Sequence, residues 1–302
     1  MNCQNINLLY FFPCNFTFEL DKECDILKLT KSIKALSKKY SFIVLKPNSD
    51  NSLFELFEHT TFDSNIYFYV KVPNKLFVSF CHMYYDGYSI FYIIEQIDLI
   101  YKTMDTHKHI NMHMHTREHT QKINTIQIPK LILNKHIDYK SGFFNMLNSI
   151  DGLNTNIINM LSNKKLFIIK IKKINLESNI DIIVYILKKL QIDKCSLLVN
   201  LRKLNSKTNN SGLMGNLIYY INDLGPNINS KKIRKILHNQ EKLSYDVLAK
   251  NVIPNNLSVN SYLSFGLPSF VKMFELEKYR GNGIIIYPKN IDKTNWIIHW
   301  YK

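Results

Sequence analysis

Glycine and proline are scarce, 9 and 8 in 302 residues, which leaves no room for collagen-like, linker-like or proline-rich architecture. The five cysteines (Cys3, Cys14, Cys24, Cys81 and Cys195) are odd in number, widely spaced and without a C-x-x-C pair. That argues against a disulfide framework or a structural zinc and fits a reducing compartment. Apolar runs such as Leu8 to Pro13 and Ile90 to Ile94 fall far short of the roughly 20 residues a bilayer span needs. No basic residue precedes the N-terminal apolar stretch and no small-residue cleavage site follows it, so a soluble, cytoplasmic chain is expected.

What remains is ordinary globular material. Apolar residues make up 46% and charged residues 21%, and the 18 Phe and 18 Tyr can bury a large core without covalent staples. The length suits one large domain or two of common size. Charge is distributed unevenly. Residues 1–102 carry 10 Lys against 11 acidic residues, a net −1, whereas residues 103–302 carry 29 basic and 13 acidic residues, a net +16. Such an excess suits an anionic partner, which could be nucleic acid, an acidic membrane or a phosphorylated cofactor; equally, it could come from lysines scattered over a solvated surface. No helix-turn-helix, zinc finger or aromatic RNA-binding signature accompanies it, and neither nucleic acid nor membrane is expected as a partner.

Helical and strand-like patterns alternate, which predicts a mixed α/β architecture. Ile26, Leu29, Ile33 and Leu36 share one face of a helix over 24–39. Residues 41–46, 66–72 and 76–81 read as strands, the last two forming a hairpin around Pro73-Asn74. A helix over 88–101 presents Ile90, Ile93, Ile94, Ile97 and Ile100. Residues 103–163 break the pattern and read as a linker and crossover. A second series follows: strand 166–171, helix 176–190, strands 195–201 and 215–221, helix 231–250, then strand-like pieces at 260–265, 270–276, 283–287 and 295–300. The domain boundaries expected are 1–102, 103–163 and 164–302.

The stretch Phe80-Cys81-His82-Met83-Tyr84-Tyr85-Asp86-Gly87-Tyr88-Ser89 carries the chemistry. A strand ends at Cys81, His82 stands just past it, and a helix opens after Gly87. A strand-end loop lets an imidazole project into a cleft while the scaffold holds it still. With an ordinary pKa of about 6.5, neutral His82 could take a proton from a hydroxyl or amine, and the freed nucleophile would attack an activated carbonyl. Asp86 would fix the turn, and Gly87 would leave space where the chain turns or a substrate approaches. The alternative is an ordinary buried histidine with Asp86 as a helix cap. The spacing alone does not choose between them.

The H-x-x-x-D-G segment resembles the active-site motif of the plant-type BAHD acyltransferases and of the wider chloramphenicol-acetyltransferase-like and condensation-domain superfamily. Leu198-Val199-Asn200-Leu201-Arg202 with Gly215-Asn216 is similar to the family's V-D-x-R…G-N region, and Asn260 to Pro268 looks like a degraded D-F-G-W-G-K-P segment. The resemblance implies an α/β fold of two similar chloramphenicol-acetyltransferase-like lobes with mixed sheets and an active-site channel between them. It implies an acyltransferase in which His82 is the base and Asp86 organises its loop. A coenzyme A thioester would serve as co-substrate, with no permanently bound cofactor, no metal, a small-molecule donor and acceptor as partners, and a monomeric chain. Gly87, Asn216 and Gly266 would be substrate or loop residues and Arg202 a structural inter-lobe residue. The chain departs from the family in its shorter length, in Ser264 where the family carries Asp, and in lacking the Trp. That aspartate normally pairs with the arginine matched by Arg202, which must then find another partner or stay solvated. These departures support the alternative of a catalytically degenerate binding protein that retains the fold.

Other signals carry less. Lys231, Lys232, Arg234 and Lys235 open a predicted helix and could meet donor phosphates or simply be a solvated face. His107, His109, His113, His115 and His119 could bind a transition metal but lack a framed ligand array and read as a linker. Trp296 and Trp300 flank His299 in what reads as a half-buried strand.

Overall fold

The computed structural model describes residues 13–46, 64–71, 74–82, 84–113, 132–133, 166–200, 202, 213–215, 218–225, 227–240, 256–277, 283–287 and 294–301. In chain order the first elements are β1 (Pro13–Leu20), α1 (Ile26–Lys39), β2 (Ile43–Lys46), β3 (Ile66–Lys71), β4 (Lys75–Cys81) and α2 (Gly87–His113). They continue with β5 (Ile132–Leu133), β6 (Leu166–Lys172), α3 (Asn179–Lys189), β7 (Cys195–Asn200), β8 (Leu213–Met214), β9 (Ile218–Leu224) and α4 (Ser230–Gln240). The last strands are β10 (Ser258–Ser261), β11 (Val271–Glu277), β12 (Gly283–Ile286) and β13 (Asn295–Tyr301).

The first sheet has the order β11-β1-β4-β3-β2. Its strands are antiparallel except the β2–β3 pair, which is parallel. Along β1, Phe16, Phe18 and Leu20 point to one face and are buried against α1 and α2, the period-two pattern of a strand over a core. Asp25 caps α1 by accepting from the Lys28 amide at 3.0 Å, and the helix buries Leu29, Ile33 and Leu36 completely. The isoleucine face of α2 is likewise sequestered, with Ile90, Ile93, Ile94 and Ile97 at zero exposure.

The second sheet has the order β6-β13-β12-β10-β7-β9, with β10 parallel to both β12 and β7 and the other pairs antiparallel. α3 covers it through Ile182, Ile183, Ile186 and Leu187, which join Leu197, Ile221, Ile284 and Ile286 in a second core. The two lobes are therefore mixed sheets with helices packed on them, as expected.

Three expectations are corrected. The linker expected from residue 103 is helical as far as His113, because α2 runs on across the polar residues: no Gly or Pro interrupts 103–113, and polarity alone does not end a helix. His107, His109 and His113 thus belong to α2 and not to a linker; their side chains, and His115 and His119, lie outside the described residues. Second, β11 does not stay with the second lobe. It pairs with β1 from Asn15↔Glu277 to Leu20↔Val271 and completes the first sheet, so the stretch 164–302 is not one spatial unit. Third, His299 is 2% exposed beside buried Ile298, so β13 is covered on both faces there, and His299 Nδ1 hydrogen-bonds the Tyr287 hydroxyl. The helix expected over 231–250 spans Ser230–Gln240, and 241–250 lie outside the described residues.

Candidate active site

The site starts from the way the first lobe ends β4. Cys81 is the last strand residue, the Tyr84 and Tyr85 amides fold back onto its carbonyl, and α2 begins at Gly87. Asp86 is the N-cap of α2: its Oδ1 accepts from the Ser89 amide at 2.8 Å. It is more than a cap. Its Oδ2 accepts from Arg202 Nη1 at 2.7 Å, and both side chains are almost fully buried. The pair crosses from the first lobe to the end of β7 in the second.

The ion pair is held in a network of further hydrogen bonds. Arg202 Nη2 donates to the Ser89 hydroxyl at 2.8 Å and to the Gly215 carbonyl at 2.9 Å. The Ser89 hydroxyl also accepts from the Gly215 amide at 3.1 Å, and its own proton faces Asp86 Oδ1 and the Gly215 carbonyl. That carbonyl takes the Asp86 amide as well. The guanidinium carbon lies 4.7 Å from the centre of the Tyr88 ring, a cation–π contact. Arg202 is thus neither solvated nor left alone by the change to Ser264. Its partner is the aspartate of the first motif.

Gly87 leaves room for a tyrosine of the second lobe. A Cβ placed there would come within 2.2 Å of the Tyr262 hydroxyl and 2.9 Å of its ring, so only glycine admits the tyrosine of the second lobe. Tyr262 then packs at a tilt on Phe91 of α2 at 4.5 Å, and Phe265 stacks on it at 5.2 Å.

Between the lobes lies a cavity of about 200 Å³. His82, Asp86, Gly87 and Tyr88 form its first-lobe wall, and the opposite side comes from the start of α3, the β7 strand, and the segment after β10. His82 stands at this wall with its ring 6.2 Å from Phe80. Burial pushes its imidazole below the ordinary value of 6.5; a hydrogen bond to its own main chain and the nearby Asp86 carboxylate pull the other way without cancelling the shift. The shift favours the uncharged ring, the form that can take a proton.

Of the remaining expected site residues, Gly266 does not line the cavity; its amide hydrogen-bonds the Glu95 carboxylate on α2. Asn216 lies outside the described residues. In the cluster at the start of α4, Arg234 is bound to Asp181 at 2.6 Å and to Ser178, fastening α4 to α3, while Lys231, Lys232 and Lys235 are exposed. The sequence reading missed Ser89, Tyr262 and the structural part played by Asn200. Ser89 had a signal, the D-x-x-S spacing of a helix cap, and Asn200 had one too, since an Asn side chain after a strand readily accepts from the amide two residues on. Among the described residues no group of three or more His, Cys, Asp or Glu could hold a metal, and no helix is long and apolar enough to cross a membrane.

No family model matches the sequence, and no curated protein matches it. Solved structures do match. The first condensation domain of the calcium-dependent antibiotic synthetase, in complex with substrate analogue 3a, superposes with a TM-score of 0.51 at 8% identity, over 97% of this chain and 85% of that one. Another structure of the first condensation domain of the CDA synthetase gives 0.50 at 8% identity, with the same coverage of 97% and 85%. The chain has the fold of a condensation domain. At this identity the likeness establishes the fold alone, the two-lobe, chloramphenicol-acetyltransferase-like architecture expected from the motif.

Proposed function

We propose that the protein is an acyltransferase that moves an acyl group from a coenzyme A-type thioester to a hydroxyl or amine, with His82 as the general base. The observation that carries this reading is the uncharged imidazole in the wall of an inter-lobe cavity, on a loop clamped by a buried ion pair. His82 takes the proton of the acceptor as its oxygen or nitrogen attacks the thioester carbonyl. A C–O or C–N bond forms, the C–S bond breaks, and the departing thiolate recovers the proton from the imidazolium. The products are an ester or amide and a free thiol. No covalent acyl-enzyme is needed. A positioned base of this kind contributes roughly 10²–10⁴-fold.

In this reading Asp86 and Arg202 do not touch the reacting atoms. They hold the loop and set the field around the ring, so they are positioning residues. The exposed Lys231, Lys232 and Lys235 stand on α4, whose Leu237 reaches the cavity, and supply positive charge for donor phosphates. Small-molecule donor and acceptor are the partners, and the chain acts as a monomer.

The second reading is a binding protein that keeps the fold without the reaction, favoured by Ser264 standing exposed beside the cavity where the resembling family carries an aspartate. Release of free thiol from a panel of acyl-coenzyme A compounds, with a panel of alcohols and amines as acceptors, separates the two. Turnover lost on His82→Ala supports the enzyme. Binding without thiol release by the unmodified chain selects the binder.

A further inference from the structure

The second sheet ends on an uncovered strand. β6 closes the order β6-β13-β12-β10-β7-β9, and among the described residues β13 is the one strand that pairs with it. Every second residue of such a strand turns its N–H and C=O away from the sheet, so a row of backbone donors and acceptors faces outward. Over the 7 residues of Leu166–Lys172 that row is about 23 Å long, at roughly 3.3 Å per residue. The cavity beside His82 takes no lining residue from β6.

The side chains divide this edge in two. Ile169 and Ile171 pack on the second core. Leu166, Phe167 and Ile168 are 42%, 47% and 55% exposed at three successive positions, so large apolar groups stand in water on both faces of the strand. Lys170 and Lys172 follow, exposed on the same face as Ile168. Their neighbours on β13 are Ile297 and Asn295, and among the described residues no carboxylate pairs with either lysine. Lysines guard many edge strands against unwanted pairing, but these two leave the first three residues of β6 unguarded.

Charge and backbone together choose the occupant. A second copy of β6 brings two lysines and no acidic residue, so pairing the edges of two chains sets like charges side by side. An acidic lipid surface answers the lysines, but its hydrocarbon offers nothing to the outward N–H and C=O groups. An extended peptide with acidic residues answers the backbone, the apolar side chains and the lysines at once. We propose that β6 is a docking edge for an extended, acidic segment of a partner protein. The segment adds an antiparallel strand to the second sheet, with apolar residues opposite Leu166, Phe167 and Ile168 and carboxylates opposite Lys170 and Lys172. Docking at β6 requires no turnover at His82.

The test titrates the full chain at low salt with three fluorescent heptapeptides and follows anisotropy. Glu-Thr-Glu-Thr-Val-Val-Val, read from its amino end, runs antiparallel to β6 from Lys172 to Leu166. Lys-Thr-Lys-Thr-Val-Val-Val reverses the charge. Glu-Thr-Glu-Pro-Pro-Val-Val keeps the charge and removes an inward-facing N–H in either register. The first is expected to bind at least about 10-fold more tightly than either of the others. Ile168→Asp should weaken it about 10-fold or more, and Lys170→Glu combined with Lys172→Glu should turn the preference toward the lysine peptide. All variants are compared at equal folded concentration. No binding of the first peptide at millimolar concentration, equal binding of the three, or an unchanged affinity in Ile168→Asp would each overturn the proposal. So would a dimer in sedimentation that Ile168→Asp dissolves, which assigns the edge to a second copy. Capture by phosphatidylserine vesicles without any peptide binding overturns it too and assigns the edge to a membrane.

Discussion

Arg202 and Asp86, 116 residues apart in the chain, meet at 2.7 Å in the interior and hold the two lobes together at the mouth of the His82 loop. Neither partner can be removed cheaply. A buried charge whose counter-charge is deleted costs about 3–5 kcal/mol, well above the roughly 0–1 kcal/mol of a surface pair. Asp86→Asn and Arg202→Met should each lower the unfolding free energy by about that amount in denaturant titrations. The double variant, with both charges gone, should be more stable than the sum of the two losses predicts.

Asp86→Asn should also act on the imidazole. The Asp86 carboxylate favours the protonated ring, so its neutralisation lowers the His82 pKa further. Activity needs the neutral base, and its acid limb should therefore lie below pH 6.5 in the unmodified chain and move to lower pH in Asp86→Asn. The pH profile of kcat/KM checks both statements, and an acid limb above pH 6.5 would contradict them.

Gly87→Ala drives a methyl group into the Tyr262 hydroxyl at 2.2 Å, and Tyr262 is packed against Phe91 and cannot swing away freely. Overpacking of this kind costs about 1–3 kcal/mol. Gly87→Ala combined with Tyr262→Phe should recover part of the loss, since the hydroxyl is gone but the ring atoms at 2.9 Å remain. Thermal unfolding of the three variants measures it.

His299 sets the acid stability of the second sheet. Burial holds its pKa down to about 4, against 6.5 for an exposed histidine. The unfolded chain therefore binds the proton first as pH falls. Stability is complete above about pH 6.5 and is lost progressively down to about pH 4, by about 3 kcal/mol for this group. His299→Gln should flatten that part of the stability–pH curve, as followed by urea unfolding between pH 7 and pH 4.

Much of this was legible in the chain, and the part that was not has a common cause. The isoleucine spacing of α2, the hairpin β3–β4 and the His82 loop are local patterns, each set within about fifteen residues, and all of them lie where the sequence puts them. The strand β1 was not read from the sequence, although Phe16, Phe18 and Leu20 alternate along it, and its two neighbours in the sheet, β4 and β11, cannot be read from that alternation. The Asp86–Arg202 pair, the fit of Tyr262 over Gly87 and the return of β11 to the first sheet join residues more than a hundred positions apart. No local rule specifies such contacts; packing between lobes does. The extent of α2 was underread for another reason: Thr103 to His113 is polar enough to look like a loop, and the helix continues because nothing in it stops one.

The central claim is that the His82 imidazole takes the acceptor's proton. It is tested most directly by thiol release from acyl-coenzyme A in His82→Ala, compared with the unmodified chain at equal folded concentration. The account predicts a fall of roughly 10²-fold or more with an unchanged unfolding curve. Turnover at the unmodified rate in a folded His82→Ala protein would contradict it.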